Sequence, residues 1–421
     1  MGMKKFGKKV QSFLLAGVML VASLGFGGSV WAEEPAASQD EAAQDALAAK
    51  AKGSLVIIGG AQQRDNAAIH EKMIELAGGK DKAIIGIFPT ASGSMSSSKE
   101  MKEDFEYYGV PADHVKIIDI TKDNYQDKVN NDDIVAQIAE TNALFFVGGD
   151  QARITKAFYN PDGSNTKALD AVWDVYNKGG MIAGTSAGAA IMSKTMIANT
   201  DSLGALLNGV TYDDTKPGLW VTKGLGFFNG GIVDQHFSKR GRLGRLVVAL
   251  VAEKQKYGFG IDENSAMVVT GNTIEVIGAS GLFIVDASKA SVSKSGVYKG
   301  IDVSYIEKGD KYNYVSKRFT LAKEKVAIEP GKEYYEGNTL NTSVFGLDAA
   351  KVMLLDDLMD NTAKESVGVA FGLENNGAGV KVVFSKNKNT KGYYDETEYA
   401  SSALHVDMTI TPIEVTIKEK K

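Results

Sequence analysis

The residues with the clearest chemical potential are Gly184-Thr185-Ser186-Ala187-Gly188. Gly-x-Ser-x-Gly is the spacing of a nucleophile elbow. A serine there sits on a tight strand-to-helix turn, where only small residues fit, and the next backbone N–H points at a developing oxyanion. The pentapeptide alone is a weak signal in a chain rich in glycine and serine. Its flanks strengthen it. Met181-Ile182-Ala183 reads as a buried strand entering the turn, and Ala189-Ala190-Ile191-Met192 opens a helix with residues small enough to pack against a sheet. The bland alternative is a glycine-rich crossover with a buried serine cap.

A serine nucleophile needs a base, and the chain has only four histidines. His70 lies on a predicted helix among polar residues, His114 precedes a strand, and His405 falls in a C-terminal β region. His236 ends the apolar segment Gly230-Gly231-Ile232-Val233-Asp234-Gln235-His236-Phe237, just before a helix. That strand-end position makes His236 the candidate base. The imidazole also needs a carboxylate to fix its tautomer. Gly258-Phe259-Gly260-Ile261-Asp262-Glu263 ends another short apolar strand with two adjacent acids that point opposite ways. Either Asp262 or Glu263 fits that place.

Arg240, Arg242 and Arg245 follow, with Lys239, at the predicted start of a helix whose apolar stripe is Leu243, Leu246, Val247, Leu250 and Val251. Cations there oppose the helix dipole. A solvated basic face is the plain reading. An anion site, with guanidinium forks and a helix N-terminus converging on carboxylates, explains the placement better.

These residues need a scaffold, and the apolar pattern supplies one. Leu55-Val56-Ile57-Ile58, Ala83 to Phe88, Val115 to Ile120, Ala143 to Val147 and Met181 to Thr185 are short continuous apolar runs alternating with helical patterns. Strands buried on both faces read this way, so the pattern predicts a doubly wound α/β domain with a mostly parallel sheet. Ligands in that architecture sit beyond the carboxyl ends of the strands. Gly59-Gly60, Gly148-Gly149 and Gly184 to Gly188 fall there.

After about Ser280 the pattern changes to alternating strands, such as Val297 to Ile306, Tyr312 to Leu321, Gly377 to Phe384 and Leu404 to Ile417, with one helix from Ala349 to Met359. The expected organisation is a signal peptide over 1–32, a flexible leader over 33–52, a catalytic α/β domain over 53–280 and a β-rich accessory region over 281–421.

The N-terminus carries Lys4, Lys5, Lys8 and Lys9, then the apolar run Phe13 to Leu24 and the small-residue site Val30-Trp31-Ala32. This is the pattern of an export signal, and it predicts a secreted or periplasmic protein without a stable membrane anchor after cleavage. The chain has no cysteine, which excludes disulfides and a cysteine nucleophile. Without cysteine or histidine-rich spacing, neither a metal nor a cofactor is expected. The formal charge of −5 becomes more negative once four signal-peptide lysines are gone, which argues against a general nucleic-acid surface.

Taken together, Phe146-Val147-Gly148-Gly149-Asp150-Gln151, Gly184 to Ala189, Asp234-Gln235-His236-Phe237 with the three arginines, and Gly260-Ile261-Asp262-Glu263 resemble cyanophycinases. These are serine peptidases related to dipeptidase E, on a fold like class I glutamine amidotransferases. The resemblance covers about Ser54 to Gly278. It implies a triad of Ser186, His236 and Glu263, an oxyanion hole at Gly149 and Ala187, and a substrate pocket with Gln151, Asp234, Gln235, Arg240, Arg242 and Arg245. The implied substrate is cyanophycin, a polyaspartate with arginine on each β-carboxyl, and the implied product is the β-Asp-Arg dipeptide. A homodimer is compatible with it. Intracellular members usually have acids where this chain has Gln62-Gln63-Arg64-Asp65 after Gly59-Gly60-Ala61. An exported aspartyl dipeptidase, a catalytically silent binding module of the same fold and an unrelated esterase are the rival readings. An intact serine, histidine and glutamate argue against the silent module, and the arginine cluster against the esterase.

Overall fold

The apolar runs of the first half form a parallel sheet, because each of their residues has a core to enter on one face or the other. The computed structural model describes residues 53–372, 376–395 and 399–416. The expected signal peptide and leader lie outside them. β1 (Ser54–Ile58), β2 (Ile85–Phe88), β3 (Val115–Ile117), β4 (Ala143–Phe146) and β5 (Met181–Thr185) are parallel, in the order β1-β5-β4-β2-β3. Along β1, Leu55 and Ile57 enter one hydrophobic cluster while Val56 and Ile58 enter another. Helix α1 (Ala67–Leu76) covers the second face through Ile69, Met73 and Ile74. Helices α2 (Gln151–Phe158) and α3 (Ala187–Ala190) cover the first face, with Ile154, Phe158, Ala187 and Ala189 in its cluster. Burying each large aliphatic side chain in these layers contributes about 1.5–3 kcal/mol.

The chain then builds a second sheet. β6 (Ile232–Asp234) leads through a turn to helix α4 (Leu243–Ala252) and back along the parallel β7 (Tyr257–Ile261). β8 (Ser265–Thr270) crosses to the first sheet, antiparallel to β1, and β9 (Thr273–Gly278) pairs with β8. Next come β10 (Gly281–Asp286), β11 (Tyr298–Glu307), β12 (Lys311–Asn313) and β13 (Arg318–Thr320). After helix α5 (Ala349–Leu354) follow β14 (Glu365–Phe371), β15 (Ala378–Ser385) and β16 (Ala400–Glu414). In the second sheet these strands lie in the order β14-β15-β16-β11-β10-β7-β6. β12 and β13 instead extend the first sheet beyond β9.

Hydrogen bonding therefore runs across the expected boundary at 280 in both sheets. β7 pairs with β10 from Tyr257↔Asp286 to Ile261↔Leu282, and β9 pairs with β12. The apolar cluster beneath the second sheet mixes Phe237, Leu243, Leu246 and Leu250 with Phe283, Val303, Met353 and Phe384.

The structure departs from the sequence pattern locally at three places. The strand expected over Val115 to Ile120 ends at Ile117. The run Tyr312 to Leu321 folds as a hairpin of β12 and β13, with Lys317 at φ 62° in the turn. Helix α5 stops at Leu354, and Leu355–Met359 continues as one wider π-type turn.

Candidate active site

Ser186 stands at the end of β5 with φ 53° and ψ −108°, a strained conformation held by its surroundings. The turn is tight because backbone touches backbone on both sides. A Cβ on Gly184 would lie 2.3 Å from the Gly188 carbonyl oxygen, and one on Gly188 would lie 2.1 Å from that of Phe146. Larger residues at either position would push the turn off the sheet. Ala187 is the first residue of α3, so its N–H has no intrahelical acceptor.

His236 follows β6 by two residues, also at positive φ (48°), and its N–H donates to the Gly59 carbonyl at 2.7 Å. That bond ties the histidine to the loop after β1, beside β5. Its Nε2 lies 2.8 Å from Ser186 Oγ, and its Nδ1 lies 2.6 Å from Glu263 Oε1. The two adjacent acids do face opposite ways. Glu263 turns to the imidazole, whereas Asp262 is buried and accepts from Ser238 N and the hydroxyls of Ser280 and Tyr305.

Burial pushes the His236 pKa below its ordinary value. The Glu263 hydrogen bond opposes the shift, and the charges of Arg240 and Arg242 add to it. The imidazole is consequently neutral near pH 7. With Nδ1–H donating to Glu263, Nε2 is free to accept the serine proton. This arrangement can generate a serine nucleophile and return its proton to a leaving group.

A cavity of about 440 Å³ opens beside Ser186, lined among others by Gly149, Gln151, Gln235, Arg240, Arg242 and Arg245. The basic residues differ in their commitments. Arg245 is buried and grips Asp234 with two bonds, Nε to Oδ2 at 2.7 Å and Nη2 to Oδ1 at 2.5 Å. A third nitrogen donates to the Thr200 carbonyl at 2.8 Å. Arg242 donates to the Gln235 carbonyl at 2.6 Å and lies 3.5 Å from Asp234. Burial lowers its pKa to about 10, so it stays cationic. Arg240 is exposed and has no ion-pair partner among the described residues.

The resemblance grouped Asp234 with the pocket residues. Its side chain is 1% exposed and is the counter-ion under two guanidinium groups. It holds the basic wall in place instead of facing the cavity. The helix expected to start with the arginines starts at Leu243, with Arg242 as N-cap, so Arg240 projects from the preceding turn. Gln151 uses its amide nitrogen on the carbonyls of Ile197 and Ala198.

His70, read as lying among polar residues, is fully buried. It stacks on Tyr108 at 4.7 Å and bonds to the Gln62 amide at 2.8 Å. Asn264 was missed. At φ 54° it donates its N–H to the Gly60 carbonyl and accepts at Oδ1 from Gln63 N and Asn66 Nδ2, fixing the loop beside His236. The only sequence signal was an asparagine, which tolerates left-handed backbone, just after a strand-end acid. Among the described residues, no group of three or more His, Asp or Glu could hold a metal ion.

Residues 55–277 match the model of peptidase family S51. A cyanophycinase of Synechococcus elongatus is 30% identical over 256 residues, 60% of this chain and 73% of that one. A cyanophycinase of Geminocystis herdmanii is 30% identical over 275 residues, 62% of this chain and 94% of its own length. Among solved structures, a peptidase from an acI-B1 Actinobacterium aligns with 62% of this chain and 97% of its own, at 20% identity and a TM-score of 0.47.

Proposed function

The chain belongs to peptidase family S51 and is a serine-type peptidase, and from that premise we propose that it is an exported enzyme that hydrolyses cyanophycin to β-Asp-Arg dipeptides. The observation that carries the reading is the relay from Ser186 Oγ through His236 to Glu263 at 2.8 and 2.6 Å, opening into a cavity walled by guanidinium groups. In the proposed reaction, Ser186 Oγ bonds to the carbonyl carbon of a backbone amide while its proton passes to His236 Nε2. Glu263 holds the resulting imidazolium. The N–H groups of Gly149 and Ala187 receive the oxyanion. The C–N bond breaks as the amine takes the proton from His236, leaving an acyl-enzyme that water cleaves by the same route.

The basic wall suits a substrate with a free carboxylate in each repeat, which in cyanophycin is the α-carboxylate of the arginine, since both carboxyls of each aspartate are amides. Arg240 and Arg242 can offer charge-assisted hydrogen bonds to that carboxylate, and Asp234, gripped by Arg245, fixes where Arg242 stands. Gln151 and Gln235 border the same space. The size of the cavity also favours a second reading, an aspartyl dipeptidase acting on short free peptides.

The deciding experiment incubates the purified protein with cyanophycin granules and, separately, with short aspartyl peptides, and identifies the products by mass spectrometry. Release of β-Asp-Arg that disappears in Ser186→Ala supports the proposal. Cleavage of short peptides with intact granules would replace it with the dipeptidase reading. Analysis of the mature N-terminus after secretion tests export.

A further inference from the structure

The chain beyond residue 277 lies outside the family match, yet it touches the turn that carries His236 and the strand end that carries Glu263. Three contacts converge there. Behind Glu263, the buried Asp262 carboxylate accepts from Ser280 Oγ at 2.8 Å and Tyr305 OH at 2.9 Å. Lys351 Nζ stands 4.0 Å from the same oxygen and donates to Ser280 Oγ at 3.1 Å. The other oxygen of Asp262 accepts from Ser238 N at 3.0 Å, two residues after His236. One carboxylate therefore joins the strand end before Glu263 to the turn after His236, and the C-terminal chain holds that carboxylate from behind.

The same turn is gripped from its outer side. Asp348 N donates to the Ser238 carbonyl at 2.9 Å, and its carboxylate pairs with Lys239 at 2.5 Å. Gly241 sits at φ 54° with the Phe345 carbonyl so close that a Cβ would lie 2.0 Å from it. Tyr305 is fully buried, and burial holds its pKa well above the ordinary value, so its hydroxyl remains a donor.

The geometry points to Tyr305, Lys351 and Asp348 as positioning residues: through Asp262 and the Ser238–Arg242 turn, the C-terminal chain sets the distance between His236 and Glu263. This inference rests on the proposed triad. None of the three approaches the cavity beside Ser186. Their effect would therefore fall on the rate of the serine's reaction and not on substrate binding.

The test uses the full-length protein with Tyr305→Phe, which keeps the ring, and Lys351→Met, which keeps the stem at a partly exposed site. Ser186 is titrated with a small fluorophosphonate across pH. In that reaction Oγ bonds to phosphorus, fluoride leaves and the serine proton goes to His236, so the labelling rate reports the relay without any natural substrate. Small misalignment of reacting groups costs on the order of 10- to 100-fold. A loss of that size in the labelling plateau is expected in both variants, with KM unchanged on whichever peptide the protein cleaves. Because the Glu263 hydrogen bond raises the histidine's pKa, loosening it should also move the acid inflection to lower pH. Lys351→Arg should restore much of the rate.

Folded variants that label at the unaltered rate with the unaltered inflection would overturn the inference while leaving the triad standing. If Tyr305→Phe does not fold, Lys351→Met and Lys239→Met decide the matter by the same readout. Failure of the unaltered protein to label at Ser186 would overturn the triad itself, and the positioning role with it.

Discussion

The two sheets contribute differently to the site. Ser186 ends β5 near the middle of the first sheet, with parallel neighbours on both sides and helices over both faces. His236 and Glu263 follow β6 and β7, which lie at one margin of the second sheet. The nucleophile thus rests on a layer built mostly before residue 280. Its base and carboxylate rest on one whose other principal strands come after. The difference teaches that a site can lie wholly within the family-matching segment while half of its support lies outside that segment.

The most severe way to break this comparison is to remove the later strands. A mature chain ending at Ala279 loses β10, exposes the β7 edge and strips Phe283, Val303, Met353 and Phe384 from the cluster around Phe237 and Leu246. Exposed apolar surface and an open edge favour aggregation. Size-exclusion chromatography and near-UV circular dichroism should show no soluble folded protein. A folded, monodisperse chain that still cleaves peptide would show that the second sheet does not need its later strands.

A milder break leaves the fold intact. Ser186→Ala should lose on the order of 10³-fold or more in turnover without a change in melting temperature, because alanine fits the elbow. His236→Ala should fall about as far, and the double substitution should be little worse than either alone, since the members of such a relay act as a unit. Steady-state rates on one peptide test this. Additive losses would separate the two residues mechanistically.

The arginines sharpen the comparison within the pocket. Arg245→Ala leaves the buried Asp234 carboxylate with Arg242 as its one nearby cation among the described residues, and breaking a buried pair costs about 3–5 kcal/mol. It should act first on stability, read by denaturant unfolding. Arg240 is exposed and has no such partner among the described residues. Arg240→Ala should leave unfolding unchanged and lower kcat/KM by roughly 10- to 100-fold, the value of a charge-assisted hydrogen bond. Equal effects of the two substitutions on stability would remove the distinction between a structural Arg245 and a substrate-facing Arg240.

Much of the first sheet was legible because its strands are continuous apolar runs, a pattern that survives without knowledge of partners. The elbow, His236 and the adjacent acids were legible for a related reason: each sits where such a run ends. The spacing alone left Asp262 and Glu263 open, and only the resemblance chose Glu263. Alternation along a strand says that they diverge, but only the later residues Tyr305 and Ser280 fix which one turns inward. Asp234 entered the pocket set through the resemblance, and no sequence signal pairs it with Arg245, eleven residues on, whose guanidinium buries it. The sharing of both sheets across residue 280 was hidden as well. Strand alternation reports that a segment pairs, not with which strand, and the β7–β10 and β9–β12 pairings are set by tertiary packing.

The smallest expected effect concerns pH. His236 must be neutral to accept the serine proton, so activity rises as pH rises through its pKa. Burial lowers that pKa, the hydrogen bond donated to Glu263 offsets part of the shift, and Arg240 and Arg242 lower it further. The acid limb of kcat/KM should therefore lie below the ordinary histidine value of 6.5. The signs for substitutions follow from the same causes. Arg240→Ala removes a repelling charge and should move the limb to higher pH, whereas Glu263→Gln removes a favourable partner and should move it lower while reducing the plateau. A pH-rate profile for the three proteins measures all of this on one substrate. Opposite movements in the two variants would tie both the carboxylate and the basic wall to the same imidazole. A limb that ignores both substitutions would mean that the ionisation controlling the rate belongs to another group.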